Sequence, residues 1–340
     1  MKRSAVTLKD IARELGISSS TASRALNDHY EISEETKAAV REVAERLNYQ
    51  PNSLALSLRS QRSNTIGIIV PELVHFFFST VISGIEDVAH SNGFNVIIAQ
   101  SNESLERELE NIKTLSYNRV DGLLISISEE TKDIKHIEAL HELGLPVVFF
   151  DRMVEQSLGS SVTIDDFLGG YQAAKHLLDM GYRKIAHISG PLTLKIMKDR
   201  LEGYKHALEE ANIPFDPDLI VKDKSGDANQ AYEATIDLLN GIQPDAIFAS
   251  NDIAAYGALK AANRLGKNVP GELGIVGFSN WQFTEFTSPS ITTIEQPGFE
   301  IGKAAAELLL KQIKSDDEEE LEFKKLPTRL IFRESTKRPQ

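Results

Sequence analysis

The sequence predicts two architectures in series: a small all-α head, then a larger α/β body whose parallel sheets are flanked by helices. Three observations carry this. Residues 7–27, TLKDIARELGISSSTASRALN, hold two short helical patterns that meet at a glycine. From residue 64 on, continuous apolar runs of strand length alternate with amphipathic runs of helix length, the pattern of parallel strands covered on both faces. That alternation runs twice, breaking near 151–165, so the body reads as two similar lobes.

In the head, Thr7 is placed to cap the first helix, with Asp10 as the return partner of a capping box. Ile11, Ala12 and Leu15 share one face, and Gly16 supplies the positive φ that ends the helix. Ser18 is placed to cap a second helix carrying Thr21, Ala22, Ala25 and Leu26. Ser33 starts a third, Glu34 and Glu35 suit its positive N-terminus, and Pro51 is expected to end the run. NSLALSLRSQRSNT follows, a helix-compatible stretch of about two turns, too short to be ordered unless something packs against it.

In the body the expected strands are 65–70, 94–99, 121–126, 146–150, 184–189, 245–250 and 273–278. The expected helices lie near 77–92, 104–117, 133–143, 167–180, 198–211, 228–240, 252–265 and 298–314. Ligands of such folds bind at the carboxyl ends of the strands, which between two lobes means a cleft. The acidic run DDEEELEFKK (316–325) reads as a solvated surface turn. No leucine heptad follows it, so a dimer is expected in preference to a coiled-coil tetramer.

Composition narrows the function. The 340 residues allow two or three domains, and 41% hydrophobic content suffices for packed cores. MKRSAVTLKD lacks the apolar centre of a signal peptide, no apolar span of about 20 residues occurs, and there are no cysteines; a cytoplasmic protein is expected. The net charge of −13 is unevenly spread: residues 1–62 hold ten Lys/Arg against eight Asp/Glu, or +2, and the rest 27 against 42, or −15. A basic head on an acidic body suits a protein whose head alone meets phosphates. The head's acids, gathered at 31–45, are expected to face away from nucleic acid. No GxGxxG, GxxxxGK[ST] or HExxH occurs and the eight histidines lack metal-ligand spacing, so neither an enzyme nor a cofactor is expected. Asp165 and Asp166 sit at a helix start and read as caps, not as an acid–base pair.

Two helices joined at a small-residue turn let the second enter a DNA major groove. There the exposed side chains would be Ser19, Ser20, Ser23 and Arg24: short hydroxyls for phosphates or base edges, and a fork that matches guanine O6 and N7. A capped helical hairpin alone is common, and ordinary helix polarity also accounts for Thr21 and Ser23.

Over nearly its whole length the chain resembles the lactose-repressor (LacI/GalR) family. The matching blocks are TLKDIA, GIS, TASRALN, ISEET, LNYQPN, IGIIVP, FFS, VDGLLI, FFDR, DDFLGGYQAAKHLL, GYRKIAHISGP, RLEGY, FASND, VPGELGIVGF, ITTIEQP and RES, in the family's order and spacing. The resemblance implies a helix-turn-helix domain (1–50), a hinge helix and linker (51–63) and a periplasmic-binding-protein-like effector and dimerisation domain (64–340). Its first lobe would take 64–160 and 295–325, its second 161–294 and 326–340, the helix at 298–314 crossing back to the first lobe and RLIFRE to the second. By resemblance Ser19 and Ser20 set sequence preference, with Arg24 next along the groove, and Thr7, Ser18, Thr21, Ser23 and Asn27 take phosphate positions. Asn52, Ala55 and Leu58 belong to a hinge helix that pairs with its dimer mate in the minor groove, Leu58 as the wedge between base pairs.

The implied partners are operator DNA, a second copy of the chain and a small-molecule effector, expected to be a sugar or sugar derivative. Polar and aromatic residues sit at strand ends where a cleft would put them: Phe77, Phe78, Asp151, Arg200, Asn251, Ser279, Trp281 and Gln296. Planar donors and acceptors beside aromatic faces suit a polyhydroxylated ligand. By resemblance Phe77, Asp151, Arg200, Asn251 and Gln296 are effector contacts. Arg152 and Asp252 read equally well as inter-lobe salt bridges or helix caps, and Trp281 as a surface residue over a lobe edge. Two departures matter: Ser279 stands where many members carry Asp, and Gly226 where an aromatic is common, a stacking surface that Trp281 would replace. Leu194 and Ile196 disfavour a purine, while Lys195 and Lys198 leave a sugar phosphate open. Repression is expected, since the family mostly represses; a periplasmic sugar-binding protein and a regulator whose cleft takes a partner protein are the competing readings.

Overall fold

The computed structural model describes residues 6–49, 62–133, 135–153, 159–222, 227–315 and 320–338. The chain divides into two compact units, Met1–Ser63 and Asn64–Gln340. Asn52, Ala55 and Leu58, with the expected hinge helix, lie outside the described residues, as do Gly226 and the first four residues of the acidic run.

The first unit contains helices α1 (Leu8–Leu15), α2 (Ser19–Leu26) and α3 (Glu34–Arg46). Asp10 Oδ2 accepts from the Thr7 N–H at 2.9 Å and the Thr7 hydroxyl at 2.7 Å. Gly16 ends α1 at φ 64°. Ser18 Oγ accepts from Thr21 N at 3.0 Å and Ser33 Oγ from Thr36 N at 3.3 Å, so both helices begin on a side-chain cap. Ile11, Ala12, Ala22, Ala25, Val40, Val43 and Ala44 form the core. Its alanines hold α2 close to its neighbours and leave the serine and arginine side outward. The third helix stops at Arg46, ahead of the expected Pro51. Asn48 takes φ 53°, Tyr49 N bonds Ala44 O at 2.8 Å, and this left-handed asparagine does the work assigned to proline.

Among its described residues the second unit contains two six-stranded sheets, one per lobe. In chain order its elements are β1 (Thr65–Val70), α4 (Phe76–Ser91), β2 (Asn95–Gln100), α5 (Leu105–Tyr117), β3 (Gly122–Ile125), α6 (Lys135–Glu142), β4 (Val147–Phe150), β5 (Ser160–Ile164), α7 (Asp166–Asp179), β6 (Ile185–Ser189), α8 (Lys195–Glu210), β7 (Ile220–Lys222), α9 (Ala228–Asn240), β8 (Ala246–Ala249), α10 (Asp252–Arg264), β9 (Gly274–Ser279), the short α11 (Phe283–Phe286), β10 (Thr292–Glu295), α12 (Gly298–Lys314), β11 (Phe323–Leu326) and β12 (Arg329–Ile331). The sheets are ordered β11-β5-β4-β3-β1-β2 and β12-β10-β9-β8-β6-β7. Every pairing is parallel except β10 with β12. In register, Ile66–Ile69 of β1 lie opposite Gly122–Ile125 of β3. The central strands are apolar and almost wholly buried because helices cover both faces.

The chain passes between lobes after β5, after β10 and between β11 and β12, as the resemblance implied for the last two. Helix α12 returns to the first lobe and lies on α4 so closely that a Cβ on Gly302 would sit 2.0 Å from Val81 O. Five strands, β5, β7, β10, β11 and β12, escaped the sequence reading. β5 fills the expected break, so the lobe boundary placed at residue 160 falls inside a first-sheet strand. Its SSVTI sequence hid it, for the buried Ser160 hydroxyl is satisfied only in three dimensions, accepting from Gln312 Nε2 at 2.9 Å and Glu322 N at 3.0 Å.

Candidate functional site

Between the lobes, at the carboxyl ends of the strands, lies a cavity of about 650 Å³. All eight residues singled out from strand ends line it: Phe77 and Phe78 on the first turn of α4, Asp151 after β4, Arg200 on α8, Asn251 after β8, Ser279 and Trp281 at the end of β9, and Gln296 on the crossover to α12. A cavity of about 710 Å³ adjoins it, sharing Glu129, Arg152, Leu194 and Ile196 and adding Lys132, Lys195 and Lys198. A separate groove of about 600 Å³ between β7 and α9 brings none of these residues together and is open to solvent.

The chain reverses sharply where strands meet the cavity. Asp151 (φ 60°), Ser279 (φ 108°) and Asn280 (φ 55°) all take positive φ, a costly backbone that turns strand-end side chains back over the sheet edge. Arg200, 3% exposed, is held on every side. Its Nε donates to Asp166 Oδ1 at 2.8 Å and Nη1 to Ser250 O at 2.7 Å, Nη2 lies 2.7 Å from Asp166 Oδ1, and the guanidinium stacks 3.7 Å over the Phe278 ring. Arg152 Nη1 spans both Glu103 oxygens at 2.9 and 2.8 Å, with Nε 3.6 Å from Asp151 Oδ2, so it makes a salt bridge within the first lobe and not the expected inter-lobe bridge or helix cap.

Among the described residues Asp252 has no ion-pair partner, and it is not the cap of its own helix. Asn251 is the cap, accepting from Ala254 N at 2.7 Å. The fully buried Asp252 instead accepts from Thr293 Oγ1 at 2.6 Å and Trp281 N at 2.7 Å, fastening the Trp281 loop to β10. Trp281 is half-buried and turned into the site, its ring edge-on to His75 at 4.5 Å and tilted to Phe76 at 6.2 Å. Ser279 Oγ donates to Gln296 Oε1 at 2.6 Å.

Burial dominates the electrostatics. It pushes Asp151 up from its ordinary value against the pull of Arg152 and Arg200. It raises Asp166 despite the Arg200 guanidinium, and Asp252 to about 7 despite its hydrogen bonds from Thr293 and Trp281. It drives His75 down to about 4, helped by Arg152 and Arg200, so the imidazole is neutral. His75 Nδ1 and Trp281 Nε1 have no hydrogen-bond partner among the described residues. Of the two aspartates read as caps, Asp165 caps α7, accepting from Leu168 N at 2.9 Å, while Asp166 is instead the partner of Arg200. His75 and the Arg152–Glu103 pair escaped the sequence reading, because their partners lie far along the chain and no spacing announces them.

On the head, Ser20 and Arg24 of α2 are exposed, while Ser19, Thr21 and Ser23 are half-buried. Thr7 and Ser18 are exposed, and Asn27 Nδ2 donates to Ser23 O at 2.8 Å, closing the helix. One expectation about this face is corrected: the head's acids do not all turn away from it. Glu31 Oε2 accepts from Arg24 Nη1 at 3.0 Å, because the loop after α2 folds back beside the arginine.

Residues 7–52 match the model of bacterial regulatory proteins, lacI family, and residues 174–336 that of the periplasmic binding protein-like domain. The ribose operon repressor of Halalkalibacterium halodurans is 34% identical over 334 residues, 97% of each chain. This chain belongs to the LacI family. Two solved LacI-family structures extend the likeness. A lac repressor dimer bound to operator and the anti-inducer ONPF matches with a TM-score of 0.88 at 26% identity, covering 98% of this chain and 99% of that one. A LacI family regulator from Enterococcus faecium with bound ribose matches at 0.72 and 34% identity, over 81% and 100%. Like its LacI-family relatives, the chain is a transcriptional regulator with a DNA-binding head and an effector domain.

Proposed function

We propose that this LacI-family regulator is a cytoplasmic repressor, without catalytic activity, that reads a pseudo-palindromic operator as a homodimer and changes operator affinity when a sugar or sugar derivative fills the inter-lobe cavity. Its curated relative is a repressor, and no described helix is long and apolar enough to cross a membrane. The observation that carries the ligand class is the cavity lining. Asp151, Asn251 and the Ser279–Gln296 pair offer planar acceptors and donors beside the faces of Phe77, Phe78 and Trp281, in a volume suited to a small ligand. Five acids, Glu72, Glu103, Glu129, Asp151 and Asp227, stand there against Arg152 and Arg200, a balance that favours a neutral polyol over an anion. The solved relative with bound ribose supports the same class.

Thermal unfolding against a panel of free sugars and sugar phosphates tests this. A free sugar at about 100 times its Kd is expected to stabilise by about 2.7 kcal/mol, and the phosphates to be weaker. Asp151→Ala is expected to erase the shift, since its carboxylate is the most buried acid lining the cavity. A panel in which nothing shifts overturns the sugar assignment and moves the cavity towards another metabolite or a protein partner.

For DNA, Arg24 is the base-reading residue, with Ser19 and Ser20 beside it and Thr7, Ser18, Thr21, Ser23 and Asn27 on phosphates. Asn52, Ala55 and Leu58 act in the minor groove. Arg24→Ala is expected to cost about 1–3 kcal/mol of operator binding and to relax preference at one position of each half-site. Binding to single-base-pair operator variants measures this, and an unchanged preference at every position removes Arg24 from the reading set.

A further inference from the structure

We propose that Glu31 is a positioning residue for Arg24 and thereby sets operator specificity. The inference rests on the reading of Arg24 as the base-contacting arginine. Arg24 Nη1 donates to Glu31 Oε2 at 3.0 Å, and the two side chains are 50% and 49% exposed, on the surface that α2 presents. Glu31 is not a neighbour on the same helix. It lies seven residues on, in a loop held by its own bonds: His29 N to Arg24 O at 3.0 Å, Ile32 N to His29 O at 3.1 Å, and Glu31 N to His29 Nδ1 at 3.3 Å. The His29 ring stacks on Tyr30 at 4.6 Å. The backbone that carries Glu31 is thus held beside the arginine, and its carboxylate also lies 3.8 Å from His29 Nδ1.

An exposed ion pair adds little to stability, so its consequence is geometric. Guanidinium has five N–H donors, and Glu31 takes Nη1. Nε and Nη2 remain as the other edge of the fork, the two parallel donors that guanine O6 and N7 require. An arginine already held in one rotamer loses less freedom when it meets its base. A carboxylate beside the groove also repels phosphate, which weakens binding wherever the matching base is missing. Both effects widen the gap between operator and random DNA.

The test uses full-length protein at fixed salt, a duplex selected by the wild type from a random-sequence library, its single-base-pair variants, and a scrambled duplex. Arg24→Ala first identifies the base pair at which preference disappears. At that base pair Glu31→Ala is expected to reduce the wild-type preference about fivefold, within the range that a bidentate contact supplies. Binding to the scrambled duplex is expected to rise about twofold, and adding Glu31→Ala to Arg24→Ala to leave the base preference where Arg24→Ala put it. A merely structural role for Glu31 weakens all duplexes alike, and that result, or an undiminished preference at the Arg24 base pair, overturns the inference. If Arg24→Ala itself changes no preference, the base-reading role of Arg24 fails, an outcome separable from failure at Glu31 alone.

Discussion

Replacing Arg200 with methionine is expected to destabilise the effector domain by about 3–5 kcal/mol at pH 7. Arg200 and Asp166 have side chains only 4% and 5% exposed, and the guanidinium supplies both charged donors to Asp166 Oδ1. Methionine fills similar volume but leaves a buried carboxylate without its countercharge and Ser250 O without its donor. The deficit should depend on pH in a definite direction. Burial already raises Asp166 to about 7, and without Arg200 the carboxyl rises further, so near pH 7 the folded variant holds more of the proton than the folded wild type and gains more stability as pH falls. The deficit is therefore expected to shrink between pH 7 and pH 5. Adding Asp166→Leu should recover much of the loss, since a well-packed apolar pair replaces a buried ion pair at little cost. Denaturant unfolding at the two pH values measures all three; a deficit under about 1 kcal/mol, or one that grows on acidification, contradicts the buried-pair account.

Asp252 is expected to produce the second large effect. Its carboxyl is raised to about 7 in the folded chain by burial, with Thr293 and Trp281 holding it down, against about 3.9 when unfolded. A raised carboxyl means that the folded state binds the proton more tightly. Its contribution is thus fully present below about pH 4 and lost as pH rises through 7. Three pH units correspond to at most about 4 kcal/mol. Asp252→Asn removes the titration while keeping an acceptor for Thr293. Across pH 4–8 the wild type should lose stability relative to this variant, and a difference that stays flat contradicts the assignment.

These two aspartates also show where the sequence was legible. Features fixed within a few residues of chain could be read directly: the Thr7–Asp10 bonds, the Gly16 reversal, the Ser18 and Ser33 caps. So could the central strands, whose apolar runs admit burial on both faces. Strands that end the sheets or exchange between lobes, such as SSVTI and FKKL, carry hydroxyls and lysines, and only tertiary partners make them strands. The cavity residues were legible because parallel α/β sheets place loops at strand carboxyl ends. Their partners were not: Asp166 for Arg200, Glu103 for Arg152 and Thr293 for Asp252 lie 34, 49 and 41 residues away. Net charge misled at Glu31, where the loop after α2 brings an acid to the reading face.

The most direct test of the central claim, that a cavity ligand controls DNA binding, is fluorescence anisotropy of full-length protein on the selected duplex at one salt concentration. The titration is run with and without the sugar that stabilises the fold. Coupling between cavity and head is expected to change operator Kd by about 5–150-fold, the range of ordinary allosteric coupling. An unchanged Kd while the same sugar demonstrably shifts the melting temperature would contradict it.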